Sequence, residues 1–267
     1  MEETIITVDA SNYHSFEVEK QWLSSSQLLD WQECEARATA RYLRGESVYE
    51  EETPAMKMGR YLAARWAGES HFREFIAANP DVFRRDGLLK AEFSQCEQLY
   101  SRTCEDAFFR RYLQGRHWEI LTGELFGLPW KCRIEVYNQE ENFLTDLMVC
   151  RDFAPVWDAV KEQRVAFYAA RRIHLRLGLH QLMLRRNTGR TPKMYLAAVT
   201  RQNPPDLKVL SFNGTAALER IAAETAGAAA TAERIREIRA GRLEPRRCGN
   251  CPYCRGSRLL TACEEAA

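Results

Sequence analysis

The chain has 267 residues, enough to bury a full core, and its 38 Lys and Arg nearly balance 37 Asp and Glu. One α+β domain is therefore expected, with no global attraction to polyanions. No run of 18 apolar residues could span a membrane, and the opening MEETIITVDASNYHSFEVEK lacks the apolar centre of a signal peptide, so a cytoplasmic location without a disulfide framework is expected.

Residues 1–20 read as an extended arm with Ile5, Ile6 and Val8 as its apolar part. Ser24, Ser25 and Ser26 offer N-caps for a helix over Gln27–Leu43 that ends at Gly45 and carries Cys34 among Leu28, Trp31 and Ala38. Pro54 suits the first turn of a helix running to Ala67, with Gly68 as its stop. A short helix over His71–Asn79 and a loop over 80–90 come next. Phe93, Cys96, Leu99, Tyr100, Ala107, Phe108 and Leu113 recur at helical spacing and predict a helix over 91–113. Beyond the strands described next, helices are expected over 153–162, 164–187 and 214–240, with strands at 193–200 and 207–212.

Residues 118–152 read as three short strands, broken at Gly127–Pro129 and at Asn138–Asn142. Among their acidic residues Glu124, Glu135 and Asp146, one from each strand, stand eleven residues apart each time. In an antiparallel meander such residues come side by side. Converging carboxylates repel unless a cation lies between them, and an oxygen-rich site suits Mg²⁺ or Mn²⁺.

Of the nine cysteines, Cys96, Cys104, Cys132, Cys150 and Cys263 are scattered, as small buried hydrophobes would be. Cys248, Cys251 and Cys254 stand at two-residue intervals in a turn with Gly249 and Pro252. That spacing lets three thiolates wrap one centre, an iron–sulfur cluster or, as the alternative, zinc. Cys263 and Cys34 are both candidates for the fourth ligand. Arg246, Arg247 and Arg255 flank the turn and suit anionic thiolates or phosphates.

Between Gln163 and Pro205 there are nine basic residues and no acidic one. Ala166, Ala170, Ile173, Leu177 and Leu184 can face a core, so Arg171, Arg172 and Arg176 are expected to project outward. With Arg185 and Arg186 they form a cationic stripe suited to DNA phosphates. Gln181 lies near the apolar side of the same helix.

The chain resembles the PD-(D/E)XK nuclease superfamily, most closely its phage and prophage RecE-type, exodeoxyribonuclease-VIII-like group. The resemblance runs through Ser26-Gln27-Leu28 with Cys34, Gly59-Arg60-Tyr61-Leu62, Leu89-Lys90-Ala91-Glu92-Phe93, Asp106 with Phe109, Leu113 and Gly115, and Thr122-Gly123-Glu124. It continues through Arg133-Ile134-Glu135, Asp146-Leu147, Gln181 and the CGNCPYCR tail. It implies an αβ restriction-endonuclease-like core, a central mixed sheet flanked by helices, over residues 1–244. A cysteine-rich tail over 245–267 would pack on the N-terminal helix region. It also implies a divalent-metal-dependent exonuclease working on double-stranded DNA ends beside a single-strand annealing protein. Related nucleases with one early and three late cysteines bind a 4Fe-4S cluster, which favours Cys34 as the fourth ligand.

Four positions depart from the family pattern. Ala63 stands where His or Asp is usual, Glu135 where Asp is usual, Met148 where the third motif has Lys, and Gly178 where Tyr is usual. A thioether can neither orient a water nor stabilise charge on a phosphate, and Lys131 is the candidate for a migrated lysine. Two readings follow. In the first, the chain is a metal-dependent DNA exonuclease in which Glu135 and Asp146 hold Mg²⁺ or Mn²⁺, Glu124 supports them and Gln181 orients substrate or water. In the second, it is a catalytically inactive relative that keeps the fold, the cysteine centre and the basic helix as a DNA-binding or assembly module.

Overall fold

Ser15 accepts a hydrogen bond from Val18 N and opens α1 (Phe16–Gln21) where an extended arm is expected. The computed structural model describes residues 5–47, 53–158 and 162–259; Cys263 lies outside them. Ser24 caps α2 (Ser25–Glu33) by accepting from Gln27 N. The single helix expected over Gln27–Leu43 is two, because Cys34 adopts extended backbone (φ −161°, ψ 104°) between α2 and α3 (Glu35–Arg44). Thr53 and Pro54 open α4 (Pro54–Ala67), and α5 (Glu69–Ala78) follows Gly68. The helix expected over 91–113 is also interrupted. Asp106 ends α6 (Ala91–Glu105) and accepts from Phe109 N at 2.9 Å to cap α7 (Ala107–Arg111).

The three strands are β1 (Arg116–Leu125), β2 (Leu128–Asn138) and β3 (Phe143–Cys150). Phe126 and Gly127, at φ +54° and +73°, form the two-residue turn between the first pair; Pro129 lies inside β2. Where a helix is expected over 153–162, β4 (Val156–Asp158) pairs antiparallel with β5 (Gln163–Val165), matching Val156 with Val165 and Trp157 with Arg164. β-Branched and aromatic side chains fit such a ribbon. The long helix expected over 164–187 is α8 (Phe167–Ala170) and α9 (Ile173–Thr188), with Arg172 in the left-handed region at φ +53° between them. Then come β6 (Lys193–Thr200), β7 (Leu207–Ser211), α10 (Thr215–Arg239) and α11 (Pro252–Gly256).

The chain divides into two compact units: residues 1–50, 122–131 and 226–267, and residues 51–121 and 132–225. In the first, Leu23 bridges to Trp130, and Lys131 N donates to Leu23 O at 2.8 Å. Arg234 grips Glu35 through two hydrogen bonds of 2.6 and 2.8 Å. The tail lies along α3: Ala36 N donates to Arg246 O at 3.0 Å and Arg44 donates to Tyr253 Oη at 2.7 Å.

The strands form a sheet of order β1-β2-β3-β6-β7, of which residues 116–121 of β1, residues 132–138 of β2, and β3, β6 and β7 belong to the second unit. β2 and β3 are antiparallel, β3 and β6 parallel, β6 and β7 antiparallel, so the sheet is mixed, as expected. Met58, Tyr61 and Leu62 of α4 and Phe93 and Leu99 of α6 pack with Val136, Leu147, Ala197 and Val199. The pleat turns alternate residues to opposite sides, so Asp146 and Met148 face away from Leu147. Gly115 has φ +143°, and a Cβ there would lie 2.5 Å from Tyr137 O; only glycine lets these backbones approach. Among the described residues no helix is long and apolar enough to cross a membrane.

Candidate active site and cysteine centre

In the second unit the antiparallel register pairs Val136 with Thr145 and Tyr137 with Leu144. Just beyond the Val136–Thr145 pair, Glu135 Oε2 accepts a hydrogen bond from Leu147 N. A carboxylate thus takes a backbone donor of the neighbouring strand, and it fixes Glu135 beside Asp146. Asp146 is 1% exposed, and its Oδ2 accepts from Arg176 Nε of α9. His180, one turn further along α9, is 5% exposed. Burial pushes its imidazole down to about 4, against the pull of Asp146, so it is neutral at pH 7. Burial, then the Asp146 charge, pushes the Glu135 carboxyl up to about 7, opposed by Arg176, the Leu147 N–H and Arg133. The site is therefore two carboxylates, one guanidinium and one neutral imidazole at the end of a strand ladder.

The first unit carries a separate sulfur site. The Sγ atoms of Cys34, Cys248, Cys251 and Cys254 all lie within 4.8 Å of one another. Cys254 Sγ is 3.5 Å from Cys34 Sγ and 3.9 Å from Cys248 Sγ. The break at Cys34 is what frees its side chain from a helix surface to meet the tail. Cys251 N donates to Cys248 Sγ and Cys254 N to Cys251 Sγ, each at 3.4 Å. Burial opposes it, yet N–H groups of Cys251 and Asn250 bring the Cys248 thiol down to about 6; burial raises that of Cys251 to about 11. Four thiolates around one tetrahedral ion at a Zn–S distance of ~2.3 Å stand ~3.8 Å apart. A four-iron cluster holds its sulfurs wider, because each lies outside an iron of its own. Cys96 and Cys132 are buried and Cys104 and Cys150 half-buried, all as free thiols.

A family profile described as "PDDEXK-like domain of unknown function (DUF3799)" matches residues 24–257. The chain belongs to this PDDEXK-like family. A crystal structure from Eubacterium rectale, named a putative exonuclease, is similar at 26% identity and a TM-score of 0.86, with 97% of each chain covered. No curated protein matches the chain.

Within this PDDEXK-like domain the other expected site residues have surroundings of their own. Glu124 is exposed and belongs to the other unit. Gln181 is one residue past the α9 face that carries Arg176 and His180, and its Nε2 donates to Pro192 O at 2.7 Å. Lys131 is 1% exposed; its Nζ donates to Tyr13 O and stands 4.4 Å from the Tyr13 ring centre, so the migrated lysine is not found there. Met148 is 8% exposed on the Asp146 side of β3.

The outward projection expected of Arg172 and Arg176 is corrected. Arg172 binds Glu224 through Nε at 2.9 Å and Nη2 at 2.5 Å, and Arg176 turns in to Asp146. Acidic partners distant in sequence supply the opposite sign that the segment itself lacks. Arg171, Arg185 and Arg186 are exposed. Gly178 has its own reason: a Cβ there would lie 2.7 Å from Ile221 Cγ2 and 2.9 Å from Thr225 Cγ2. A tyrosine at this position would push α10 off α9. The sequence reading missed His180 and gave Arg176 to DNA phosphates rather than to Asp146; their i, i+4 spacing was the available signal.

The Glu135 carboxyl gives a pH dependence with a definite sign. Its folded value of about 7 lies above the ordinary 4.5, so between these pH values the folded chain holds more proton than the unfolded one. Stability must then fall as pH rises from 4.5 to about 7. Thermal unfolding without divalent metal should show this fall, Glu135→Gln should flatten it, and Mg²⁺ should offset it.

Proposed function

We propose that the chain is a divalent-metal-dependent nuclease acting on DNA ends. The observation that carries this reading is the convergence of Glu135 and Asp146 at the β2–β3 ladder of a PDDEXK-like fold. The donor set fits Mg²⁺ or Mn²⁺: two hard carboxylates, one of them raised by burial and then by the other's charge, suit an ion that takes one or two carboxylates and leaves further positions to waters and substrate phosphate. Bound between Glu135 and Asp146, such an ion supplies a water of lowered pKa and neutralises charge on the phosphate. Arg176 holds the Asp146 carboxylate oriented. Neutral His180 adds a dipole without a competing positive charge.

Exposed Arg171, Arg185 and Arg186 supply non-specific phosphate contacts. In the first unit, the sulfur separations favour one zinc held by Cys34, Cys248, Cys251 and Cys254 over a 4Fe-4S cluster. The recombination setting, a single-strand annealing partner and a cytoplasmic location belong to this reading through the family resemblance alone.

The test is release of nucleotides from linear duplex DNA. Digestion should need Mg²⁺ or Mn²⁺, stop with a chelator and spare a closed circle. Replacing Arg171, Arg185 and Arg186 together by Gln should weaken DNA binding at every sequence and lower the salt slope by roughly one for each phosphate left without its arginine. One observation favours a second reading: Arg176 occupies Asp146 while Met148 fills the lysine position. DNA binding without digestion would support the inactive binding module.

A further inference from the structure

The lysine that Met148 replaces would have left a fixed positive charge beside the attacked phosphate. Arg133 is a cation on the strand that carries Glu135. It is on β2 two residues before Glu135, and the burial pattern of this stretch alternates: Cys132, Ile134 and Val136 are buried, while Arg133 is exposed and Glu135 half-buried. The pleat therefore turns Arg133 and Glu135 to the same accessible side, Cα atoms ~6.6 Å apart. Its guanidinium does not wander: it lies 4.8 Å from the centre of the Trp118 ring, a cation–π contact.

Trp118 is itself held in a special way. It has φ +54° inside β1, a conformation that a bulky residue adopts only under strain. Such irregularities in a strand re-aim a side chain next to a site. His71 of α5 meets the Trp118 ring edge-on at 4.7 Å and 76°. The strained residue thus serves as a platform under a cation, two strand positions from an acid of the candidate site.

We infer that Arg133 is a catalytic residue that takes over the electrostatic part of the missing lysine's role, donating hydrogen bonds to a non-bridging oxygen of the scissile phosphate. The inference rests on the nuclease reading given above. In the step it assists, a water oxygen bonds to phosphorus and gives up a proton to solvent. The phosphorus–ester oxygen bond breaks with its electron pair on the leaving oxygen, which takes a proton from solvent. Arg133 neither gains nor loses a proton; a guanidinium stays charged throughout. Its contribution is to the extra negative charge that the phosphoryl oxygens carry in the transition state.

The experiment compares the wild type, Arg133→Ala, Arg133→Lys, Met148→Lys and the double variant Arg133→Ala with Met148→Lys. Each is assayed for kcat and KM on linear duplex DNA with Mg²⁺, and for Mn²⁺ binding and thermal unfolding. Arg133→Ala should lower kcat by roughly 10²–10³-fold, with Mn²⁺ binding and unfolding temperature close to wild type. Arg133→Lys should keep more activity than Arg133→Ala. Met148→Lys should restore at least tenfold to Arg133→Ala, which a merely structural arginine would not allow. Digestion by Arg133→Ala within threefold of wild type overturns the inference and leaves the nuclease reading standing, as does a lysine at 148 that restores nothing. A wild type that binds DNA and Mn²⁺ yet never cuts overturns both.

Discussion

Replacing Cys251 by Ser should strip the protein of its tightly held metal and unfold the unit formed by the N-terminal helices and the tail. Cys251 is one of four sulfurs within 4.8 Å, and the contacts between α3 and the tail are few: a small cluster of Cys34, Ala36 and Cys254 with Cys251 and Tyr253 packed on it. So little apolar surface cannot hold α11 in place by itself. The Cys34–Cys254 link closes a span of 220 residues, and an ion that does so contributes folding free energy directly. Structural zinc in small peptides is worth about 10–16 kcal/mol, against about 5–15 kcal/mol for the whole stability of a typical domain. The expected readouts are one zinc per purified wild-type chain, a colourless solution, and in Cys251→Ser a lost metal with early, non-cooperative melting. A brown protein with a charge-transfer band would make the centre iron–sulfur. A Cys251→Ser protein with wild-type melting would remove the structural role altogether.

Asp146→Asn should abolish DNA digestion while leaving a folded protein. The substitution keeps the shape of a side chain that is 1% exposed but deletes the charge that two partners use, Arg176 and the proposed cation. Loss of one preorganised electrostatic group lowers rates by roughly 10²–10³-fold; loss of a metal-binding carboxylate should exceed that. On stability the effect is smaller. Arg176 keeps about a third of its side-chain surface in water, so leaving it with a neutral acceptor should cost about 1–3 kcal/mol. The Glu135 carboxyl should also move down from about 7, because the Asp146 charge is the second cause of its elevation after burial. An Asp146→Asn protein that digests DNA at the wild-type rate would mean that the chemistry lies elsewhere.

Much of this arrangement was legible in the chain. Pro54 and Gly68 bound α4 as read, and Thr215–Arg239 is the alanine-rich helix. Residues 193–200 are β6, and the register that sets Glu135 next to Asp146 follows from one tight turn at Asn138–Asn142. Cys248, Cys251 and Cys254 announce a centre by spacing, because the geometry is local.

What stayed hidden depends on partners far away in sequence. The break at Cys34 cannot be read from the apolar stripe of its helix, since a tail more than 200 residues later decides it. The hairpin at 156–165 contains too few residues to show a period. The pairing of Arg172 and Arg176 depends on Glu224 and Asp146, neither of which lies in the stretch whose sign purity suggested an open cationic surface.

The central claim is that Glu135 and Asp146 form a cation site. It is tested most directly by crystals grown near pH 7.5 and soaked in Mn²⁺, with anomalous scattering recorded at the manganese edge. The account predicts one peak bonded to oxygens of both Glu135 and Asp146 at about 2.0–2.2 Å. No peak between these two carboxylates at saturating Mn²⁺, with Arg176 still seated on Asp146, would contradict it.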